Sequence, residues 1–139
     1  MANRALPPGA LAKPAKGTTQ QAALARRDGR LAHERRQKAI VRRRDPRCRR
    51  PGCPHCAQHG GRLRLDCAHL SAKGMGGDPQ GRVTTAAQMI RLDLISHGEQ
   101  ERGLLIIVPL DPVRGTAGPC EFYWSPNGST GDGRLEGIG

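Results

Sequence analysis

The sequence predicts a small α+β protein. Three observations carry that expectation. The stretch from Thr19 to Arg44 is rich in Ala, Gln, Arg and Lys, which favour helix. GLLIIVPL is a continuous apolar run of strand length, and GPCEFYW follows it as a second strand candidate across the turn-rich DPVRGTA. Between these regions, a short alternating segment and then an apolar-periodic one indicate a strand and a helix. At 139 residues the chain holds one small domain plus tails. Aromatic residues are 2% of it, confined to Phe122-Tyr123-Trp124, while Gly (19) and Pro (11) are abundant, so a large apolar core is not expected. Something besides burial must help hold the fold.

In chain order, residues 1–18 lack periodicity, carry Pro7-Pro8-Gly9 and Pro14, and are expected to be a disordered basic tail. Residues 19–46 form a basic helical arm in which Gly29 interrupts the pattern, leaving a helix over about 31–44 that Pro46 ends. Residues 47–124 form the domain proper. It begins with the cysteine-rich loop CRRPGCPHCAQ, then a short strand in Arg62-Leu63-Arg64-Leu65-Asp66-Cys67, then the glycine-rich connection SAKGMGGDPQGR. Thr84 or Thr85 can cap the next element. There AAQMIRLDLISH reads as a helix ending at His97-Gly98, with Met89, Leu92 and Ile95 or Ile90 and Leu94 on its buried side. The two apolar strands close the domain as a pair, and residues 125–139 read as a flexible tail.

The formal charge of +11 is unevenly placed. Residues 1–50 hold 15 Lys+Arg against 3 Asp+Glu, and the remainder holds 8 against 9. A field of that sign attracts phosphate polyanions, and released counterions supply a sequence-independent affinity for DNA or RNA. The shortage of aromatics disfavours base-stacking modules, so the grip falls on the backbone. Arg42, Arg43, Arg44, Arg47, Arg49 and Arg50, with Lys73 and Arg82 flanking the glycine-rich loop, are the candidate DNA contacts; a solvated basic face is the bland alternative. No apolar run approaches the ~18 residues that cross a bilayer, and no secretory signal is present, so a cytoplasmic protein without membrane contact is expected.

Five Cys in such a chain suggest metal ligands rather than disulfides. Cys48-x4-Cys53-x2-Cys56, with His55 and His59 beside them, concentrates donors that suit tetrahedral zinc. Cys53 and Cys56 have the spacing of a zinc pair; Cys48 and His59 can complete the site, and Cys67 is a further possibility. The alternative is a set of free thiols. His33 in the arm reads as solvated, and Cys120 and the aromatic run read as packing residues.

The segment Leu65-Asp66-Cys67-Ala68-His69-Leu70, the loop Lys73-Gly74-Met75-Gly76-Gly77-Asp78, the stretch Thr84-Thr85-Ala86-Ala87-Gln88-Met89-Ile90 and His97 together resemble the HNH endonucleases, the ββα-metal nucleases. The short HNH proteins of bacteriophages are the most similar in pattern, and the likeness covers roughly residues 47–98. It implies a small ββα-metal core with a zinc-binding loop, to which the basic arm and the strand pair are appended.

The resemblance also implies roles. His69 would be the general base, Gln88 would stand where the family's Asn fixes the loop and the base, and His97 would hold a divalent cation, Mg²⁺ or Mn²⁺, or else Ni²⁺ or Zn²⁺. Asp66 is the nearest replacement for the ligand missing at Ala68. Asp93 and Ser96 occupy the places of a second zinc knuckle, so the structural zinc rests on Cys48, Cys53, Cys56 and His59, or Asp93 becomes a ligand, or the zinc is gone. Asp93 also lies one turn before His97, where the two can share the catalytic ion.

The expected function is metal-dependent hydrolysis of DNA phosphodiester bonds. The alternative is a catalytically degenerate HNH-like protein that binds DNA as an accessory factor, which Ala68, Gln88 and the missing knuckle favour. A zinc-ribbon factor would need a second ligand pair. Phage packaging or replication proteins are the partners the resemblance suggests.

Overall fold

The structure, a computed structural model, describes residues 16–71, 81–126 and 133–139. Of the tail expected to be disordered, 1–18, residues 1–15 lie outside the described residues, as do Lys73 and the rest of the loop at 72–80, while Lys16, Gly17 and Thr18 are helical.

Helix α1 spans Lys16–Arg44 without a break at Gly29. A single glycine costs about 1 kcal/mol relative to alanine, too little to divide a stretch of strong helix formers. The helix stops where Pro46 disfavours further helical backbone, with Asp45 N donating to Val41 O at 2.7 Å. Its inner face meets the domain: His33 Nε2 lies 2.8 Å from Thr84 O, Gln37 Oε1 accepts from Ala86 N at 2.8 Å, and Val41 is fully buried. His33 is thus an anchor of the arm rather than a solvated side chain.

The cysteine-rich loop contains a one-turn helix, α2 (Pro54–Gln58), started by a proline at its first position. Strand β1 (Leu65–His69) starts three residues later than the alternation from Arg62 implied.

The largest departure concerns AAQMIRLDLISH, which is not one helix. Ala86–Gln88 form a 3-10 turn, Met89–Asp93 form strand β2, and only then does helix α3 (Leu94–Glu101) begin. Apolar residues at 89, 90 and 92 satisfy helical spacing, but they also suit a strand buried on both faces, and pairing with β1 decides between the two. The antiparallel register sets Leu65 opposite Asp93 and His69 opposite Met89. The cap of α3 is Asp93, not Thr84 or Thr85: its side chain accepts from Ile95 N at 3.0 Å and Ser96 N at 2.9 Å. The helix also runs past His97-Gly98 to Glu101.

A second antiparallel sheet has the order β3-β4-β5, from Leu105–Pro109, Cys120–Trp124 and Arg134–Ile138. The first two strands match expectation, with Leu105 opposite Trp124 and Pro109 opposite Cys120. The third lies in the segment read as a loose tail. It is secured by side chains far away in sequence: Arg50 forms a bidentate pair with Glu136 at 2.9 and 2.6 Å, and Arg49 Nη2 donates to Gly139 O at 2.9 Å.

The core joining these elements is small: Ala68, Ile90, Leu92, Leu105, Cys120 and Phe122. Phe122 is its one aromatic, as the composition implied, and Cys120 is a packing residue. Internal arginines supplement it, which corrects three of the assigned DNA contacts. Arg44 binds Asp45 through two nitrogens and donates to the carbonyls of Ala86 (2.7 Å) and Met89 (2.8 Å). Arg49 donates to the carbonyls of Thr116 and Gly118. Arg50, 6% exposed, meets Glu99, Glu136 and Ser96 and lies 5.5 Å from the centroid of the Trp124 ring. These guanidiniums saturate main-chain and carboxylate acceptors that the thin apolar core leaves between its layers.

Candidate metal centre

The sequence between α1 and β1 is built to bring three thiols together. After the helix stops at Arg44, the chain turns at Gly52, whose φ of 54° lies in the left-handed region that glycine adopts without penalty. Cys53 then caps α2, its sulfur accepting from Cys56 N at 3.4 Å, so Cys53 and Cys56 lie on one side of a single turn. Cys48 joins them from the preceding irregular segment, where Arg49 N donates to Arg91 O at 3.0 Å.

The fourth member is Asp93. Its Oδ2 lies 3.3 Å from Cys48 Sγ, 3.1 Å from Cys53 Sγ and 3.7 Å from Cys56 Sγ. One ligand atom from each of the four residues falls within 4.8 Å of every other, and this is the one such cluster among the described residues. Three thiols and a carboxylate match the charge and softness that zinc accepts in a closed four-coordinate site. The cluster therefore fits a metal ion, and a structural zinc is consistent with it.

The electrostatics follow from the packing. Burial would raise the Asp93 carboxyl, but hydrogen bonds from Ser96, Cys53 and Cys48 outweigh it and hold the group below the usual carboxylate range. Burial pushes the Cys48 thiol up, and burial together with Cys53 raises Cys56 to about 11. Without an ion, the carboxylate is the anion at the centre and the thiols donate to it. A metal that takes their place must displace thiol protons.

His59 is not in the cluster. It is exposed at the C-terminal end of α2, turned away by the helix that brings Cys56 inward. His55 is drawn to the buried carboxylate of Glu99, and Cys67 points at Lys38 O, 3.8 Å away. Asp93 likewise does not share an ion with His97: its carboxylate is committed to the thiols and to the α3 cap, although the two residues are one turn apart. An open cavity of about 350 Å³ borders the thiols, with Arg47, Leu63 and Leu65 on its walls.

The two histidines singled out above lie on β1 and α3. His69 ends β1, half-buried, with Nε2 3.3 Å from Thr84 Oγ1. His97, on α3, sits between two carboxylates: Nδ1 is 3.1 Å from Asp66 Oδ2 and Nε2 is 3.2 Å from Glu101 Oε1. Burial raises Asp66, but hydrogen bonds from His97 and Arg64 more than offset that, and its pKa is lowered. Asp66 and Glu101 are carboxylates of the kind that suits a hard divalent ion, but they engage opposite nitrogens of the His97 ring and so do not converge on a single point.

Gln88 takes part through its main chain, its carbonyl accepting from Leu70 N at 2.9 Å. The side-chain amide that reaches the His69 segment is that of Gln100, which donates to His69 O at 3.0 Å. Glu101 and Gln100 are the residues that sequence reasoning missed. Their signal was helical spacing, four and three residues beyond His97, hidden because the helix was expected to end at Gly98. Arg42, Arg43, Arg47 and Arg82 are exposed.

No helix among the described residues is long and apolar enough to cross a membrane. Comparison with family models, characterised proteins and solved structures returned no match.

Proposed function

We propose that the protein is a metal-dependent endonuclease of the HNH type, hydrolysing DNA phosphodiester bonds. The observation that supports this best is the way β1 and α3 are tied across the β1-β2 hairpin. One strand carries His69 and Asp66, one helix carries His97, and the bonds Asp66–His97 and Gln100–His69 O lock the two elements together.

In this reading His69 takes the proton from a water that attacks phosphorus, work suited to an imidazole whose ordinary pKa is about 6.5. Thr84 orients its ring through Nε2. His97 and Glu101 would hold a divalent cation, Mg²⁺ or Mn²⁺, while Asp66 fixes the imidazole from the Nδ1 side, as carboxylates behind metal-binding histidines do. When bound, such an ion supplies charge stabilisation at the phosphate and the leaving oxygen. Zinc at Cys48, Cys53, Cys56 and Asp93 would have a structural part, clamping the cysteine loop to the start of α3.

A second reading, an HNH-like DNA-binding accessory protein without activity, is favoured by one observation: among the described residues the Gln88 side chain makes no hydrogen bond, so the loop-fixing role of the family's Asn is not visibly filled. Plasmid nicking with Mg²⁺, Mn²⁺, Ni²⁺ or Zn²⁺ separates the two. The endonuclease reading expects nicking by the wild type with at least one ion and its loss in His69→Ala. No nicking with any ion would leave the accessory reading.

A further inference from the structure

Helix α1 holds nine of the basic residues between positions 19 and 44, against Asp28 and Glu34. Arg44 is used internally and Lys38 pairs with Glu34 at 2.6 Å. The other seven, Arg26, Arg27, Arg30, Arg35, Arg36, Arg42 and Arg43, have no carboxylate partner among the described residues and are all exposed.

Their placement is ordered. The inner face of α1 is fixed by His33, Gln37, Val41 and Arg44. At 100° per residue, Arg35 and Arg42 fall in one row, within about 20° of each other and about 10.5 Å apart along the axis. Arg36 and Arg43 form a second such row, roughly 100° round the helix. The exposed Ala39 lies between the rows, on the side away from the domain. The helix is therefore slim at its outer crest and cationic on both shoulders. Residues 19–31 are exposed all round, so ~20 Å of the N-terminal half of the helix stands clear of the other described residues.

We propose that this outer face of α1 lies in the major groove of duplex DNA, the Arg35/Arg42 row against the phosphates of one strand and the Arg36/Arg43 row against those of the other. An α-helix with side chains is about 10–12 Å across, which matches a major groove of about 12 Å. The major groove of A-form RNA is too narrow to admit it, and a single strand offers one phosphate row rather than two. A partner helix is a poorer occupant, because Leu24, Leu31 and Ile40 do not make a continuous apolar stripe. The inference rests on the reading of DNA as the polymer this protein acts on, but not on cleavage.

The test is fluorescence anisotropy of the full chain, without divalent ions, against duplex DNA, duplex RNA and single-stranded DNA of one length over a series of salt concentrations. Duplex DNA should bind tightest. In the variant Arg35→Gln/Arg36→Gln/Arg42→Gln/Arg43→Gln, the slope of log affinity against log salt should fall by about 3–4, at roughly 0.9 per phosphate contact. The double variant Arg42→Gln/Arg43→Gln should lose about half of that, and circular dichroism should show the helix retained in both. A control with equal charge loss elsewhere, Arg62→Gln/Arg102→Gln/Arg114→Gln/Arg134→Gln, should lose at most about one. Equal slopes for the helix and control variants would overturn the proposal, as would wild-type binding to duplex RNA or single strands as tight as to duplex DNA. Because nicking is not read, failure of the endonuclease reading would leave this result standing, and the converse also holds.

Discussion

Asp93 performs two tasks with one carboxylate, and substitution can separate them. Oδ1 accepts from the amides of Ile95 and Ser96, while Oδ2 faces the sulfurs of Cys48, Cys53 and Cys56. Asp93→Ala removes both. Loss of an N-cap costs about 1 kcal/mol, and loss of a charged acceptor for buried donors costs about 1.5–3 kcal/mol, so metal-free protein should lose about 3 kcal/mol. For a domain of this size that lowers Tm by about 10 °C. Asp93→Asn keeps a capping oxygen but not the charge, and should lose roughly half as much. Asp93→Cys does the reverse: it discards the cap and offers zinc a fourth thiolate. Thermal unfolding by circular dichroism, with zinc and with EDTA, and zinc competition against a chromogenic chelator read both tasks. The wild type should hold one zinc per chain and melt lower in EDTA. Asp93→Asn should bind zinc at least about tenfold more weakly, the scale on which even outer-sphere partners of a metal matter. Asp93→Cys should recover zinc affinity and yet melt below wild type in EDTA. An Asp93→Asn protein with unchanged zinc affinity and unchanged Tm would refute the reasoning at its base.

Other expectations follow from the internal charges and the tight turns. Arg50→Met removes the guanidinium shared by the carboxylates of Glu99 and Glu136, leaving Glu99 only His55, and should cost about 3–5 kcal/mol in urea unfolding, whereas Arg43→Met on the exposed face should stay within about 0.5 kcal/mol; equal effects would show that Arg50 is not structural. Gly115 has φ of 56°, and a Cβ there would run into the carbonyl oxygen of Ala87, so Gly115→Ala should shift the unfolding midpoint further than Gly29→Ala, which meets nothing. Asp111 is held below the usual carboxylate range by hydrogen bonds from the amides of Arg114 and Val113. Its support of that turn should be complete above pH ~4 and fade as pH falls through the lowered value, visible as a depressed carboxyl midpoint by NMR; an ordinary midpoint near 3.9 would count against it.

The strands at 105–109 and 120–124 were legible because continuous apolar runs bounded by turn residues have few other uses. The three thiols were legible from their spacing. What eluded the sequence depended on partners distant in the chain. Met89–Asp93 carries a pattern that a helix and a buried strand share, and only the presence of β1 selects the strand. Arg44, Arg49 and Arg50 look like the rest of a basic run, and nothing local marks that these three turn inward, Arg44 and Arg49 to carbonyls between 86 and 139 and Arg50 to the carboxylates of Glu99 and Glu136. His59 is the fourth zinc ligand that the sequence favours and Asp93 only the alternative, but at the end of the single turn of α2 the histidine is exposed while Asp93 meets the thiols.

The tie between Arg50 and Glu136 has a temporal consequence. On a ribosome the cysteine loop emerges long before residues 134–139, and until they follow, the Arg50 guanidinium has only part of its eventual compensation while Arg49 lacks the Gly139 carbonyl. The anchoring of the cysteine loop to the rest of the domain is therefore complete only once β5 is in place, some eighty residues downstream.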